Sequence, residues 1–283
     1  MKSFMMGPSA EPVRAGFQAP LSSMPSDTLD IIFQDDLLVA VNKPAGLLVH
    51  PSLIDRRETR FAMKLLRNQL GRWVYPVHRL DKPTSGVLLF ALNPETARSL
   101  GENFDRQQVR KTYLAVVRGY TEPEGRIDHP LREKHDKMTD RRARQDKEAQ
   151  PAVTEYRHLA GVELPYAVDR YATSRYSLLA VHPKTGRKHQ IRRHLKHIAH
   201  PVVGDTTHGK SLHNRLFRER LGSGRLLLAA VEMEFDHPRD GRPLRLVAPL
   251  DETFTNVLRQ LGWEQAVPVS WLTAENLKAT EST

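Results

Sequence analysis

His78-Arg79-Leu80-Asp81-Lys82-Pro83-Thr84-Ser85-Gly86-Val87-Leu88-Leu89-Phe90-Ala91-Leu92 sets a polar, turn-forming segment directly against an unbroken apolar run. The run from Gly86 to Leu92 shows no polar alternation and reads as a buried strand, with residues 78–83 as the turn that feeds it. One carboxylate, Asp81, therefore lies at the mouth of a rigid element among three potential cations, His78, Arg79 and Lys82. Nearby positive charge favours the ionised form of a carboxylate, and a loop anchored by a strand can hold it in place. Taken alone, the segment reads first as an Asx-type turn in which Asp81 bonds backbone amides two residues on.

Short apolar runs flank this strand on both sides. Ile31-Ile32-Phe33, Leu37 to Val41 and Leu47-Leu48-Val49 are separated by turn residues and predict adjacent strands. Phe61, Ala62, Leu65, Leu66 and Leu70 follow a helical period over residues 59–70, with Gly71 placed to end the helix. A strand over 74–78 comes next. Asn93-Pro94 caps and starts another helix, with Leu100 and Phe104 turned to the core. Further strands are predicted over 111–118, 153–159, 175–181, 226–230 and 244–247, a basic helix over about 188–199, and a final amphipathic helix carrying Phe254, Val257, Leu258 and Leu261. Several connections between strands are too short for a helical crossover, so the class is α+β: a mixed, mainly antiparallel sheet with flanking helices. Residues 1–27 read as a solvated tail, 28–264 as one catalytic domain with an exposed charged excursion over 121–150, and 265–283 as a polar C-terminal tail.

The 283-residue chain carries 43 Lys and Arg against 33 Asp and Glu, a net charge of +10, which makes nucleic acid the leading partner class. Cysteine is absent, which removes disulfides, thiolate metal sites and cysteine nucleophiles. No apolar run approaches the roughly 20 residues needed to cross a bilayer, and no secretory signal opens the chain, so a cytoplasmic monomer without membrane attachment is expected. Phosphate-binding and dinucleotide glycine motifs are missing too, and no cofactor is expected.

The positive charge is concentrated. Residues 170–204 contain no Asp or Glu but hold eight Lys or Arg and five His. On the helix predicted there, Ile191, Leu195, Ile198 and Ala199 share one side, leaving His189, Arg192, Arg193, Lys196, His197 and His200 on the other. That face reads either as an ordinary solvated side or as a cradle for phosphates; a solvated helix normally mixes signs to gain i,i+4 pairs, so the absence of acids favours the cradle. His194, His197 and His200 recur every three residues, which raises the possibility of a metal-dependent hydrolase, but Arg193 and Lys196 would repel a dication and no carboxylate in the segment completes a ligand set. No metal is expected. A non-catalytic RNA-binding module would account for the charge and leave the lone Asp81 without a reason.

His-Arg-Leu-Asp followed two residues later by Thr-Ser-Gly resembles the signature of the RluA-type pseudouridine synthases, with Asp81 at the catalytic aspartate. Three further blocks resemble the family in the same order: Val41 to His50 its opening block, Arg110-Lys111-Thr112-Tyr113-Leu114-Ala115 its tyrosine strand, and Thr185-Gly186-Arg187-Lys188-His189-Gln190-Ile191-Arg192 its basic motif. The resemblance spans about Leu29 to Trp263. It implies a pseudouridine synthase fold with a central catalytic cleft, and an RNA isomerase that needs neither metal nor cofactor. Asp81 would attack the uracil ring or the ribose C1′, or assist elimination at C2′. Tyr113, otherwise a core residue of a strand, would stack on the uracil and help remove the C5 proton. Arg192 would be the basic partner of Asp81, and Ile191 would pack on the base. Arg79 would fill the space left by the everted nucleotide, with a phosphate contact as the alternative, while His78, Arg187, Lys188, His189 and Arg193 would hold the RNA. The charged excursion and Gln150-Pro151-Ala152-Val153-Thr154 resemble the branch of the family that acts on uridine 65 of tRNA; a large-subunit rRNA substrate is the alternative within the family.

Overall fold

The computed structural model describes residues 27–51, 58–132 and 148–273. The expected N-terminal tail, most of the charged excursion and the last ten residues lie outside them. Ten strands form one sheet in the order β1-β2-β4-β9-β5-β8-β7-β6, with β3 paired to β4 and β10 to β9. In chain order β1 is Asp30–Gln34, β2 Leu38–Lys43, β3 Tyr75–Pro76, β4 Ser85–Ala91, β5 Arg110–Arg118, β6 Glu124–Asp128, β7 Val153–Leu164, β8 Ser174–Pro183, β9 Leu228–Asp236 and β10 Pro243–Val247. Every pairing is antiparallel except β4 with β9, so the α+β class and mixed sheet read from the sequence hold.

All seven residues of β4 are buried because helices cover both faces of the sheet. Helix α1 (Ala62–Leu70) packs Ala62 and Leu66 on one face against Val39, Val41, Leu88 and Phe90, and α2 (Pro94–Asp105) packs Leu100 on the other against Leu38, Ala40, Val87 and Leu89. Across β5 and β8 the same division recurs: α3 (Gln190–His197) covers Ala115, Val117, Leu179 and Val181, while α4 (Ser211–Arg220) and α5 (Glu252–Gln260) cover Leu114, Val116 and Leu178. Tyr113 packs against both the α1 and the α3 clusters, so it marks the seam between them.

The parallel junction of β4 with β9 fixes that seam. Gly86 pairs with Ala230, which pairs with Tyr113, which pairs with Val181, one row across four strands. Gly86 has φ +110, and a Cβ there would lie 2.1 Å from the Ala230 carbonyl oxygen, so only glycine fits so close an approach.

Several expectations need correction. Leu47 to Val49 is not a strand; Leu48 makes a single bridge to Phe61. The strand expected over 74–78 shrinks to Tyr75–Pro76. The segment read as an excursion begins with β6, which pairs with β7 and buries Ile127, and Leu131 and Gln150 exchange backbone hydrogen bonds at its base; only 133–147 lie outside the described residues. Helix α4 was not foreseen, since its single buried residue, Phe217, leaves no apolar period. The C-terminal boundary at 264 falls short, because Val267 and Trp271 pack into the core beside α5. No helix among the described residues is long and apolar enough to cross a membrane.

Candidate active site

A cleft of about 500 Å³ opens at the seam, lined by the 77–81 segment, Tyr113, and the 183–192 segment that leaves β8 and enters α3. The turn before β4 closes through the backbone, with Thr84 N donating to the Asp81 carbonyl at 3.0 Å. The Asp81 side chain is thereby not spent on the turn, as the Asx reading would have it. Its Oδ2 accepts from Arg192 Nη1 at 2.9 Å, across 111 residues of sequence.

None of the described side-chain ion pairs of Asp81 comes from the cations that flank it in sequence. His78 Nε2 accepts from Leu89 N at 3.0 Å and its ring stacks on Phe104, so a residue read as substrate-binding also acts as a strut of the sheet. Burial, with Lys111 nearby, drives its pKa down to about 3, and it is neutral in the fold. Lys82 pairs with Glu58 at 2.8 Å. Arg79 is exposed at the cleft.

Arg192 corrects the helical-wheel reading. It is not on an outward cationic face but is 4 % exposed, with its Nε and Nη2 donating to Asp205 at 2.7 and 2.9 Å. Asp205 also accepts the amides of Thr207 and His208 at 2.9 Å each. Burial pushes its carboxyl up, but the Arg192 fork and these amides outweigh burial and hold its pKa below the usual carboxylate value. The residue was missed because it is the first acid after the acid-free stretch 170–204 and belongs to no helix or strand.

Tyr113 is half-buried in the cleft wall, and burial, followed by the charge of Asp81, raises its pKa well above the ordinary phenol value. Ile191, Arg187, Lys188 and His189 line the same cleft. Arg187 is tied to the Pro151 carbonyl at 3.2 Å, and Ile191 is buried against the α3 core. Arg193 is the exception: it donates to the Arg132 carbonyl at 3.0 Å and does not line the cleft. The three histidines at i+3 spacing are dispersed. His194 bridges Thr154 and the His129 carbonyl, His197 stacks on His129 at 3.8 Å, and His200 bonds the Arg118 carbonyl.

Lys43 carries a role that sequence reasoning missed. Its fully buried ammonium donates to the carbonyls of Pro44, Leu47 and Lys82, the last adjoining Asp81, and burial, with Arg225 adding to it, lowers its pKa to about 7. A buried lysine pins the turn that carries Asp81 through backbone oxygens, a contact that its place in the Val41 to His50 block does not by itself reveal.

Residues 37–197 match the family described as RNA pseudouridylate synthase. The chain is 52% identical over 242 residues to a Vibrio cholerae protein named tRNA pseudouridine synthase C, covering 86% of this chain and 99% of that one. It is also 52% identical over 235 residues to the Haemophilus ducreyi protein of the same name, covering 83% and 96%. Among solved structures, Human RNA Pseudouridylate Synthase Domain Containing 4 aligns with a TM-score of 0.61 at 27% identity, over 82% of this chain and 93% of that chain. Human RNA Pseudouridylate Synthase Domain Containing 1 aligns with a TM-score of 0.60 at 27% identity, over 81% and 86%.

Proposed function

The chain belongs to the RNA pseudouridylate synthase family and is an RNA isomerase, and from that premise we propose that it modifies tRNA, with uridine 65 as the target and Asp81 as the nucleophile. One observation carries the assignment of Asp81: its carboxylate stands in the cleft 2.9 Å from Arg192 Nη1, beside Tyr113 and Ile191. The identity of about half its residues to proteins named tRNA pseudouridine synthase C supports the tRNA substrate. That substrate implies work in the cytoplasm.

Pseudouridine formation breaks the N1–C1′ bond, turns the uracil and rejoins it through C5, and the base must first leave its stack. Arg79, exposed at the cleft mouth, is the residue to fill the vacated space. Everted uracil enters between Tyr113 and Ile191. Asp81 then attacks with its charge and direction set by the single Nη1 bond from Arg192, whose guanidinium is held in plane by its two bonds to Asp205. The raised pKa of Tyr113 keeps its proton on, which supports a stacking role over that of a base.

Incubating total tRNA and rRNA from a deletion strain with the protein, then mapping new pseudouridines at nucleotide resolution, tests the substrate. A new signal at uridine 65 of tRNA is expected; signal confined to large-subunit rRNA overturns the assignment. Asp81→Asn should keep RNA affinity and lose turnover, whereas a pure binding module would be indifferent to the change.

A further inference from the structure

Four residues, Arg192, Asp205, His208 and His189, form a ring with Asp81. Arg192 joins Asp81 to Asp205, the His208 amide donates to Asp205 Oδ1 at 2.9 Å, and His208 Nε2 shares a hydrogen with His189 Nδ1 at 3.1 Å. His189 Nε2 then stands 3.9 Å from Asp81 Oδ1, beyond hydrogen-bond length but within reach of anything bonded to that oxygen. His189 is a non-glycine residue in the left-handed region, φ 54, at the start of α3. That conformation is strained for a residue with a Cβ, and His189 lines the cleft.

Resting on the reading of Asp81 as nucleophile, we propose that His189 is the base that removes the C5 proton from the rotated uracil, with His208 orienting its ring. Once C5 has bonded to C1′, the C5–H bond breaks and its electron pair forms C5=C6. The C6=N1 pair moves onto N1, which takes up a proton, so the proton lost at C5 is balanced at N1. His189 Nε2 accepts the first proton and the imidazolium returns it to solvent or to N1; nothing is oxidised or reduced. With Nδ1–H donated to His208, Nε2 keeps its lone pair toward Asp81.

The surroundings agree. Burial lowers the pKa of His189, Asp81 and Asp205 oppose that effect, and Arg192 and Lys188 add to it, so the ring is neutral near pH 7. Tyr113 holds its proton, and Arg192 is a cation. The carboxylate of Asp205 is fully buried and occupied by Arg192.

Single-turnover assays on RNA carrying 5-deuterouridine test the proposal. In His189→Gln, turnover at saturating RNA should fall by about 100-fold or more, the usual contribution of a positioned base, beyond any loss of RNA affinity. A primary deuterium effect should appear or grow as C5–H cleavage becomes limiting, and added imidazole should restore part of the rate. His208→Gln, which leaves residue 189 in place, should show the same isotope signature with a loss of about ten-fold. Turnover within about two-fold of wild type in His189→Gln, or a loss in both variants without change in the isotope effect, overturns the proposal. Asp81→Asn in the same assay separates the two readings: activity surviving there defeats the nucleophile assignment, whatever residue 189 does.

Discussion

Arg192 gives the Nε–Nη2 edge of its guanidinium to the buried carboxylate of Asp205 and keeps Nη1 for Asp81, at 2.9 Å. One arginine thus orients the candidate nucleophile while a second carboxylate orients the arginine. A lysine has neither the planar fork nor the second edge to reproduce this. Arg192→Lys should therefore lower kcat by at least about ten-fold with little change in RNA Kd, measured by single-turnover modification beside filter binding. Asp205→Ala should cost about 3–5 kcal/mol of stability in urea unfolding, the usual penalty for removing one partner of a buried ion pair.

The same pair sets an acid limit. The folded-state pKa of Asp205 is depressed, so the stability it contributes is fully present above its ordinary value near 3.8 and is lost as pH falls through the folded value. Urea midpoints measured from pH 5 downward should fall less steeply in Asp205→Asn than in the wild type.

His78 acts over a higher window. It is neutral in the fold down to about pH 3 but takes up a proton near pH 6.5 when unfolded, so the unfolded state binds more protons between those values. Stability should decline as pH falls through that window. His78→Gln, which retains an acceptor for the Leu89 amide, should flatten the slope between pH 6.5 and 3 in the same urea series.

Gly86 tests the seam. Gly86→Ala puts a methyl 2.1 Å from the Ala230 carbonyl at φ +110, and the strands must separate or the backbone must move. A loss of at least about 2 kcal/mol is expected in thermal or urea unfolding. Because the row runs on to Tyr113, the folded variant should also lose turnover.

Arg79 and Lys188 both line the cleft but should behave differently. A lysine that meets a phosphate contributes to counterion release, so Lys188→Ala should weaken RNA binding and reduce the salt slope by about 1. Arg79→Ala should leave the salt slope unchanged and lower kcat if the guanidinium fills the place of the everted base. A reduced slope for Arg79→Ala would make it a phosphate contact instead.

Local pattern carried most of the architecture. The apolar run at 86–92, the caps at Asn93 and Gly71 and the i, i+3, i+4, i+7 stripe from Phe254 to Leu261 all mark elements whose signal lies within a dozen residues. Where an element depends on a distant partner, the pattern was silent. β6 exists because β7 offers it an edge, and α4 because Phe217 finds a pocket beneath Tyr176. The candidate site divides in the same way. Asp81, Tyr113 and Arg192 could be named from the motifs that resemble a known family, while the buried Asp205 lacks any local mark; Lys43 lies within the opening block with nothing to show what its ammonium meets, and Arg193 lies off the cleft, helical periodicity not saying which flank meets one.

The sequence by itself determined the class of the fold, the cationic character of the surface and the three blocks from which the cleft is built, because apolar periodicity and charge are properties of short stretches. The family resemblance named Arg192 as the partner of Asp81, but only the tertiary structure brings the two together. A neighbour in the chain, such as Lys82, is directed by its own turn to Glu58, whereas Arg192, 111 residues away, is brought to 2.9 Å by the row of strands from Gly86 to Val181 and locked there by Asp205. Ion pairing depends on distance in space and on what holds each partner still, and a linear chain specifies neither until it has folded.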